Sequence, residues 1–340
     1  MNWNSKNVLI TGGAGFIGSN LAKHLLSQGA IVTIFDNFSR ANVEKNIPWL
    51  EKQGGQLEVI KGDIREVTAI AEVSKNKDYV FHEAAQVAVT DSVEDPHMDF
   101  EINAKGTLNI LDAVRLNSPE AVFVYASTNK VYGGLERYMV SEIDGRYAFA
   151  DDFLKSGVSE EINLDFHSPY GCSKGSADQY VRDYSRIYGL KTLVFRQSCI
   201  YGPRQWGTED QGWVFHFLRL AYQGSVLKIF GDGKQVRDLL FIDDLISAYE
   251  KAIENIDKTA GQIYNVGGGN DNAVSLLDAI RIIESELGIK VKSEFYPWRP
   301  GDQKVYISDY TKAQKDYGWK PEVSVAEGLT KLLEWVKEIS

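Results

Sequence analysis

The chain has 340 residues, 44% of them hydrophobic and 25% charged, with a formal net charge of −10. That is the make-up of an ordinary folded protein with room for one large domain and a smaller lobe, and the acidic balance argues against nucleic acid or an anionic membrane as partner while leaving space for a local basic pocket. Cys172 and Cys199 form no metal-ligand pattern and no disulfide framework, residues 1–7 run as a polar segment straight into the first strand, and no apolar run approaches the ~18 residues of a spanning helix, so a cytoplasmic protein with no metal and no membrane segment is expected.

The first predicted element is the apolar run Val8-Leu9-Ile10-Thr11, which breaks into Gly12-Gly13-Ala14-Gly15-Phe16-Ile17-Gly18. It reads as strand, tight loop and helix. Gly12, Gly15 and Gly18 are spaced G-x-x-G-x-x-G, which permits a sharp turn, close approach of backbone N–H groups to a pyrophosphate, and tight packing of helix on strand. Ile17, Leu21, Ala22, Leu25 and Leu26 line one helical face as far as Gly29. A second strand at 30–35 ends in Asp36, eighteen residues past Gly18, where a carboxylate accepts both ribose hydroxyls of an adenosine and repels a 2′-phosphate. The expected cofactor is therefore NAD; Arg40 argues the other way and is outweighed. Phe16, Ile17 and Asn37 belong to the same dinucleotide-binding set.

The alternation continues with a strand at 57–61, a helix to about 74, a strand at 79–82, a helix at 99–116 and a strand at 121–126, giving an α/β fold with a Rossmann-type doubly wound parallel sheet whose strand ends open on one edge. Asp63 and Ile64, after the third strand, either close over an adenine or form a capping turn. After the fourth strand, the small residues of Ala84-Ala85-Gln86 let backbone pass close to a cofactor, and His82 reads as a hydrogen-bonded core residue. Asn103 is either solvated or ties neighbouring loops together.

The fifth strand delivers Ser127, Thr128 and Asn129 to the same edge; a long polar insertion at 134–167 follows, and then a helix in which Tyr170 and Lys174, four apart, share a face. A hydroxyl, a tyrosine and a lysine beside a nicotinamide make an alcohol–ketone redox site. Tyr170 is the expected proton acceptor, Lys174 the charge that lowers its pKa from the usual ~10, and Thr128, or Ser127 one register away, the group that orients the substrate hydroxyl. Beyond a sixth strand at 192–196 the pattern becomes irregular, with loops that hold Arg204, Arg237, Arg299 and Asp302, a helix near 275–287 and a closing helix with Val325, Leu329, Leu332 and Val336 on one face. The expected division is a dinucleotide-binding domain at 1–190, with some later chain returning to it, and a smaller C-terminal substrate-binding α/β lobe at 191–340.

The glycine loop, the Tyr170/Lys174 pair, Tyr201-Gly202-Pro203-Arg204 and Arg237-Asp238 together resemble the extended short-chain dehydrogenase/reductase family acting on nucleotide sugars, over essentially the whole chain. Within it, the segments at 127–133, 165–175 and 231–238 are similar to those of CDP-sugar 2-epimerases. The resemblance implies oxidation of sugar carbon 2 by a bound NAD, a 2-keto intermediate that presents its other face, and return of the same hydride with inversion. It also implies that Arg237 and Arg299 grip the diphosphate or ribose end, with Asp302 and Arg204 nearby, that Gln197 lies near the nicotinamide, and that Cys199 stands where relatives place an asparagine against the substrate phosphate. Each arginine, taken alone, is equally a surface charge. Dehydratases of the family follow the threonine with an Asp-Glu pair; here the pair is Asn129-Lys130, and the glutamate of the decarboxylases is missing too, which argues against both reactions. A UDP-hexose 4-epimerase, a net NAD(P)-dependent keto-sugar reductase and a non-catalytic NAD-binding scaffold are the competing readings. A homodimer or homotetramer, paired through the helices near 99–116 and 170–188, is expected.

Overall fold

The computed structural model describes residues 1–299 and 302–340; of the loop that carries Arg299 and Asp302, Pro300 and Gly301 lie outside the described residues. In chain order the strands are β1 (Asn7–Thr11), β2 (Ile31–Asp36), β3 (Gln56–Lys61), β4 (Tyr79–His82), β5 (Val122–Thr128), β6 (Val140–Ile143), β7 (Arg146–Phe149), β8 (Lys191–Gln197), β9 (Cys199–Tyr201), β10 (Leu227–Phe230), β11 (Val236–Phe241), β12 (Gln262–Val266), β13 (Ala273–Ser275), β14 (Ser293–Tyr296) and β15 (Val305–Tyr306). Seven of them form one sheet in the order β12-β8-β5-β4-β1-β2-β3, every pairing parallel. This is the doubly wound arrangement, and its switch of winding direction lies between β1 and β4.

Strands buried on both faces read as continuous apolar runs, and Val8, Leu9 and Ile10 are all fully buried. One apolar cluster joins α1 (Phe16–Ser27) and the helix Ile242–Glu254 to the sheet and continues into the C-terminal half through Phe215, Trp319 and Trp335. A second lies under Gly106–Asn117 and Pro169–Tyr188 on the other face. The sheet takes β8 and β12 from beyond residue 190, so the two halves interleave rather than meet at one boundary.

Two segments differ from the sequence pattern. The helix expected from residue 99 begins at Pro96, where Asp95 accepts the Met98 N–H at 2.9 Å, and it widens into a single π turn over Glu101–Lys105. The 134–167 insertion, expected to be merely polar, supplies Leu135, Phe149, Leu154 and Val158 to a third apolar cluster with Val236, Val305 and Tyr306. Its hairpin β6–β7 lies against the lobe: Tyr147 donates to Asp232 at 2.6 Å and Arg146 to the Ala273 carbonyl at 2.7 Å. No helix among the described residues is long and apolar enough to cross a membrane.

Behind β5 and β8 lies a buried ion pair. The Arg196 guanidinium spans both Asp178 oxygens at 2.9 and 3.0 Å, and the two side chains are 3% and 0% exposed. Removing one partner of such a pair strands a buried charge. Arg196→Met is expected to cost about 3–5 kcal/mol in urea unfolding, while Arg186→Met, on the exposed face of the Pro169–Tyr188 helix, stays within about 0.5 kcal/mol of the parent.

Candidate active site

The site forms where β1, β4, β5 and β8 end. Gly12 has φ +69°, and a Cβ there would stand 2.6 Å from the Ala84 nitrogen; one on Gly18 would stand 2.4 Å from the Gly12 carbonyl oxygen. Only glycine permits these approaches, and they bring the β1 loop and the Ala84-Ala85 segment together beside the N-terminus of α1, whose N-cap is Gly15. That helix end, with no side-chain cap, turns its first N–H groups toward this edge as a phosphate site requires. Phe16 and Ile17 begin the helix and pack partly buried on the core. Asp36, at the end of β2, accepts from Ala14 N–H at 3.0 Å and Phe38 N–H at 2.8 Å, and burial raises its pKa. The glycine cradle and this terminal carboxylate fit an adenosine diphosphate.

The flanking residues are held from outside. Asn37 donates to Asp63 at 3.0 Å, and Arg65, a partner not foreseen, clamps Asp63 at 2.7 and 2.9 Å and holds its carboxyl well below the usual range. Ile64 packs on Gly106. Arg40 donates to Gln211 of the C-terminal half at 2.5 Å. Asn103 is buried: its amide exchanges hydrogen bonds with the Gln86 backbone at 2.9 and 3.0 Å and donates to Asp99 and to Ser173. It ties the loop after β4 to the Pro169–Tyr188 helix. His82 bridges Thr11 at 2.6 Å and Thr107 at 3.0 Å, and burial pushes its pKa down to about 3, which keeps it neutral.

Ser168 caps the Pro169–Tyr188 helix, and Phe166 lies against Gly175, fixing the entry of its first turn. That turn sets the Tyr170 phenol on the side of Thr128, at the end of β5. Ser127 points elsewhere, donating to Asp178 at 2.8 Å. Lys174 donates to the Ala126 carbonyl at 2.6 Å and lies 4.3 Å from the Tyr125 ring centre. Burial pushes the Tyr170 phenol up to about 12; Thr128 opposes that rise, and Asp99 adds to it. The Lys174 ammonium is thus held by the Ala126 carbonyl and the Tyr125 ring. Gln197, paired with Thr128 across β5 and β8, donates to Tyr249 at 2.6 Å.

On the lobe side, Arg237 at the start of β11 donates to Asp302 at 2.5 Å. Asn129 is buried beside Thr128, and Lys130, not singled out from sequence as a ligand, is half-buried with Cys199, Arg237 and Asp302 around it; among the described residues its Nζ reaches Gln303, at 3.3 Å. Burial, with Arg237 adding to it, pushes its pKa down to about 8. Two cations against one carboxylate leave this pocket an anion site. Arg299 is held apart from it by Glu209 and Asp210 and stacks 3.9 Å over Phe230. Arg204 does not join the pocket at all: its guanidinium lies 4.4 Å from the Trp49 ring centre and 5.8 Å from that of Trp335, and burial lowers its pKa. Its place at φ +71° in the turn after Pro203 aims it at those rings.

A profile of the GDP-mannose 4,6 dehydratase family matches residues 9–332. The chain is 44% identical over 339 residues to CDP-paratose 2-epimerase of Salmonella typhi, covering 98% of this chain and 99% of that protein. Among solved structures, the UDP-glucose 4-epimerase of Thermotoga maritima with UDP-glucose is similar with a TM-score of 0.84 at 30% identity, over 98% of this chain and 99% of that one. The UDP-glucuronic acid 4-epimerase of Bacillus cereus, in complex with UDP-glucuronic acid and NAD, gives 0.84 at 29%, over 98% and 100%.

The two arginines are expected to separate on mutation. Arg204→Ala loses two cation–π contacts and about 1 kcal/mol of stability, with the affinity for inorganic diphosphate in titration calorimetry unchanged. Arg237→Ala is expected to weaken inorganic diphosphate at least about tenfold, the loss of one charged hydrogen bond.

Proposed function

The chain belongs to the GDP-mannose 4,6 dehydratase family, among the NAD-dependent epimerases and dehydratases of the short-chain dehydrogenase group, and from that membership we propose that it inverts carbon 2 of a CDP-sugar, taking CDP-paratose to CDP-tyvelose. Its coarser class is a nucleotide-sugar epimerase, and its cofactor is NAD. The full-length similarity to CDP-paratose 2-epimerase carries the choice of carbon and nucleotide. Asn129 and Lys130 support it against dehydration, since neither supplies the carboxyl acid and base that elimination of water needs.

Gly12, Gly15, Gly18 and Asp36 hold the dinucleotide, with Asn37, Asp63 and Ala84-Ala85-Gln86 along its length. When bound, NAD supplies the two-electron acceptor that lets the sugar carbinol become a ketone and return. Thr128 orients the substrate hydroxyl against Tyr170, whose ionised oxygen would take the hydroxyl proton and later give it back; the Lys174 ammonium and the positive charge that a bound oxidised nicotinamide would bring favour that ionised form against the burial that opposes it. Lys174, fixed by Ala126, supplies positive charge behind that exchange. Arg237 and Lys130 receive the diphosphate, which leaves the sugar free to present either face to the same edge.

Exposed Phe100, Leu116, Tyr180, Ile187 and Tyr188 lie on the adjoining helices of residues 96–117 and 169–188, a surface that supports pairing with a second copy. Light scattering is expected to give a dimer or a tetramer; a monomeric mass overturns the pairing.

Incubation with CDP-paratose in deuterated water, with no cofactor added, is expected to invert carbon 2 without deuterium uptake there. Inversion with uptake replaces internal return by proton abstraction, and turnover of UDP-hexoses alone supports the 4-epimerase reading, which the solved 4-epimerases keep open. Tyr170→Phe is expected to reduce turnover at least ~100-fold while leaving NAD binding, read by fluorescence titration, within about twofold of the parent.

A further inference from the structure

Two consecutive residues of the lobe hold the two cations of the anion pocket. Asp302 accepts from Arg237 at 2.5 Å, and Gln303 accepts from the Lys130 ammonium at 3.3 Å. Consecutive Cα atoms stand about 3.8 Å apart, so this dipeptide gathers a guanidinium from β11 and an ammonium from the turn after β5 into one place. Its own position is set by backbone. The Val236 N–H donates to the Lys304 carbonyl at 2.9 Å, and β15 then runs parallel to β11 with Tyr306 opposite Arg237.

Gln303 is 1% exposed, and both ends of its amide are engaged. The nitrogen donates to the Gly133 carbonyl at 2.5 Å while the oxygen takes Lys130, so the anchor on Gly133 fixes which way the acceptor points. Gly133 cannot drift. It has φ +71°, a Cβ there would collide with the Asp165 carbonyl, and its N–H closes the turn by donating to the Lys130 carbonyl at 3.1 Å. Thr128 caps the same turn, its Oγ1 accepting from the Lys130 N–H at 3.2 Å. A lysine side chain left to itself samples many rotamers, and Gln303 is the hydrogen-bond partner that the Lys130 ammonium has among the described residues. Unlike Asp302, Gln303 is neutral: it holds its cation without cancelling the charge.

We propose that Gln303 is a positioning residue of the anion pocket: anchored on Gly133, it holds the Lys130 ammonium beside Arg237 so that both cations meet one diphosphate. The inference rests on the reading that Arg237 and Lys130 receive the substrate diphosphate, so the test separates the two. Inorganic diphosphate is titrated calorimetrically, with NAD in excess to fill the glycine loop, into the parent, Gln303→Met, Lys130→Met and the double variant. Lys130→Met is expected to weaken diphosphate about tenfold or more, and Gln303→Met about threefold or more. In the Lys130→Met background, Gln303→Met is expected to change the affinity by less than about 1.5-fold, because the group it positions is gone. If Gln303→Met does not fold, Gln303→Ser, which admits water to the Gly133 carbonyl, replaces it in the same cycle. Equal losses with and without Lys130 describe a residue that only supports the fold and overturn the proposal, as does an unchanged affinity in the Gln303 variant. A parent that does not bind diphosphate, or a Lys130→Met variant that binds it as tightly, overturns the pocket and the positioning together. The expected cycle in a parent without epimerase activity keeps Gln303 in this role and removes the proposed reaction.

Discussion

At the switch of winding direction the chain has no room for a side chain, because a Cβ on Gly12 would meet the backbone of Ala84. The rest of the site follows from that contact. It brings the first-turn loop of β1 against the loop of β4, and Asn103, by bonding the backbone of Gln86 in both directions, fixes how the β4 loop then leaves. The same amide reaches Ser173, which immediately precedes Lys174 on the helix that carries Tyr170. The glycine loop and the helix that carries Tyr170 are thus joined through one buried asparagine. The π turn that contains Asn103 adds a residue to the helix at this point, and irregular turns of this kind recur at functional sites.

The charge distribution obeys a second constraint, that a buried ion must be answered locally. Arg196 is answered fully, by both oxygens of Asp178, and with Ser127 it closes a network that does no chemistry. Lys174 and Lys130 are answered only in part, and burial lowers the pKa of each to about 8. Ordinary stability favours the first pattern. The second leaves cations available to a ligand that brings its own negative charge or to a proton in transit, which is why perturbed groups gather at such edges.

Much of this was legible in the chain. The glycine spacing, the carboxylate at the tip of β2, the parallel alternation and the four-residue separation of Tyr170 and Lys174 are local patterns with local causes, and the strands lie within a residue or two of their expected ends. What sequence could not settle was direction. Ser127 and Thr128 are adjacent, and only the pleat of β5, which turns one toward Asp178 and the other toward Tyr170, separates them. Arg204 and Arg237 both sit in Gly- and Arg-rich loops, yet a left-handed turn sends the first between two tryptophans. Lys130 reads in the sequence only as a missing acid, because the surroundings of a charge are a tertiary property. The 134–167 insertion reads as polar since its apolar residues are scattered, and they converge only when the hairpin folds against β11 and β15.

The two halves are joined too tightly to act as independent lobes. Arg40 reaches Gln211, Asn20 donates to the Pro203 carbonyl at 2.9 Å, and Trp206 donates to Asn46 at 3.0 Å, while one apolar cluster runs from α1 through to Trp335. Arg204, absent from the anion pocket, belongs to this seam, with Trp49 from one half and Trp335 from the other on either side of its guanidinium. A reaction that must show two faces of one sugar carbon to the same protein groups needs the sugar to turn while its anchor stays still. Under the proposed reaction a fixed seam supplies the second condition: with the two halves locked together, the motion is left to the bonds between the diphosphate and the ring.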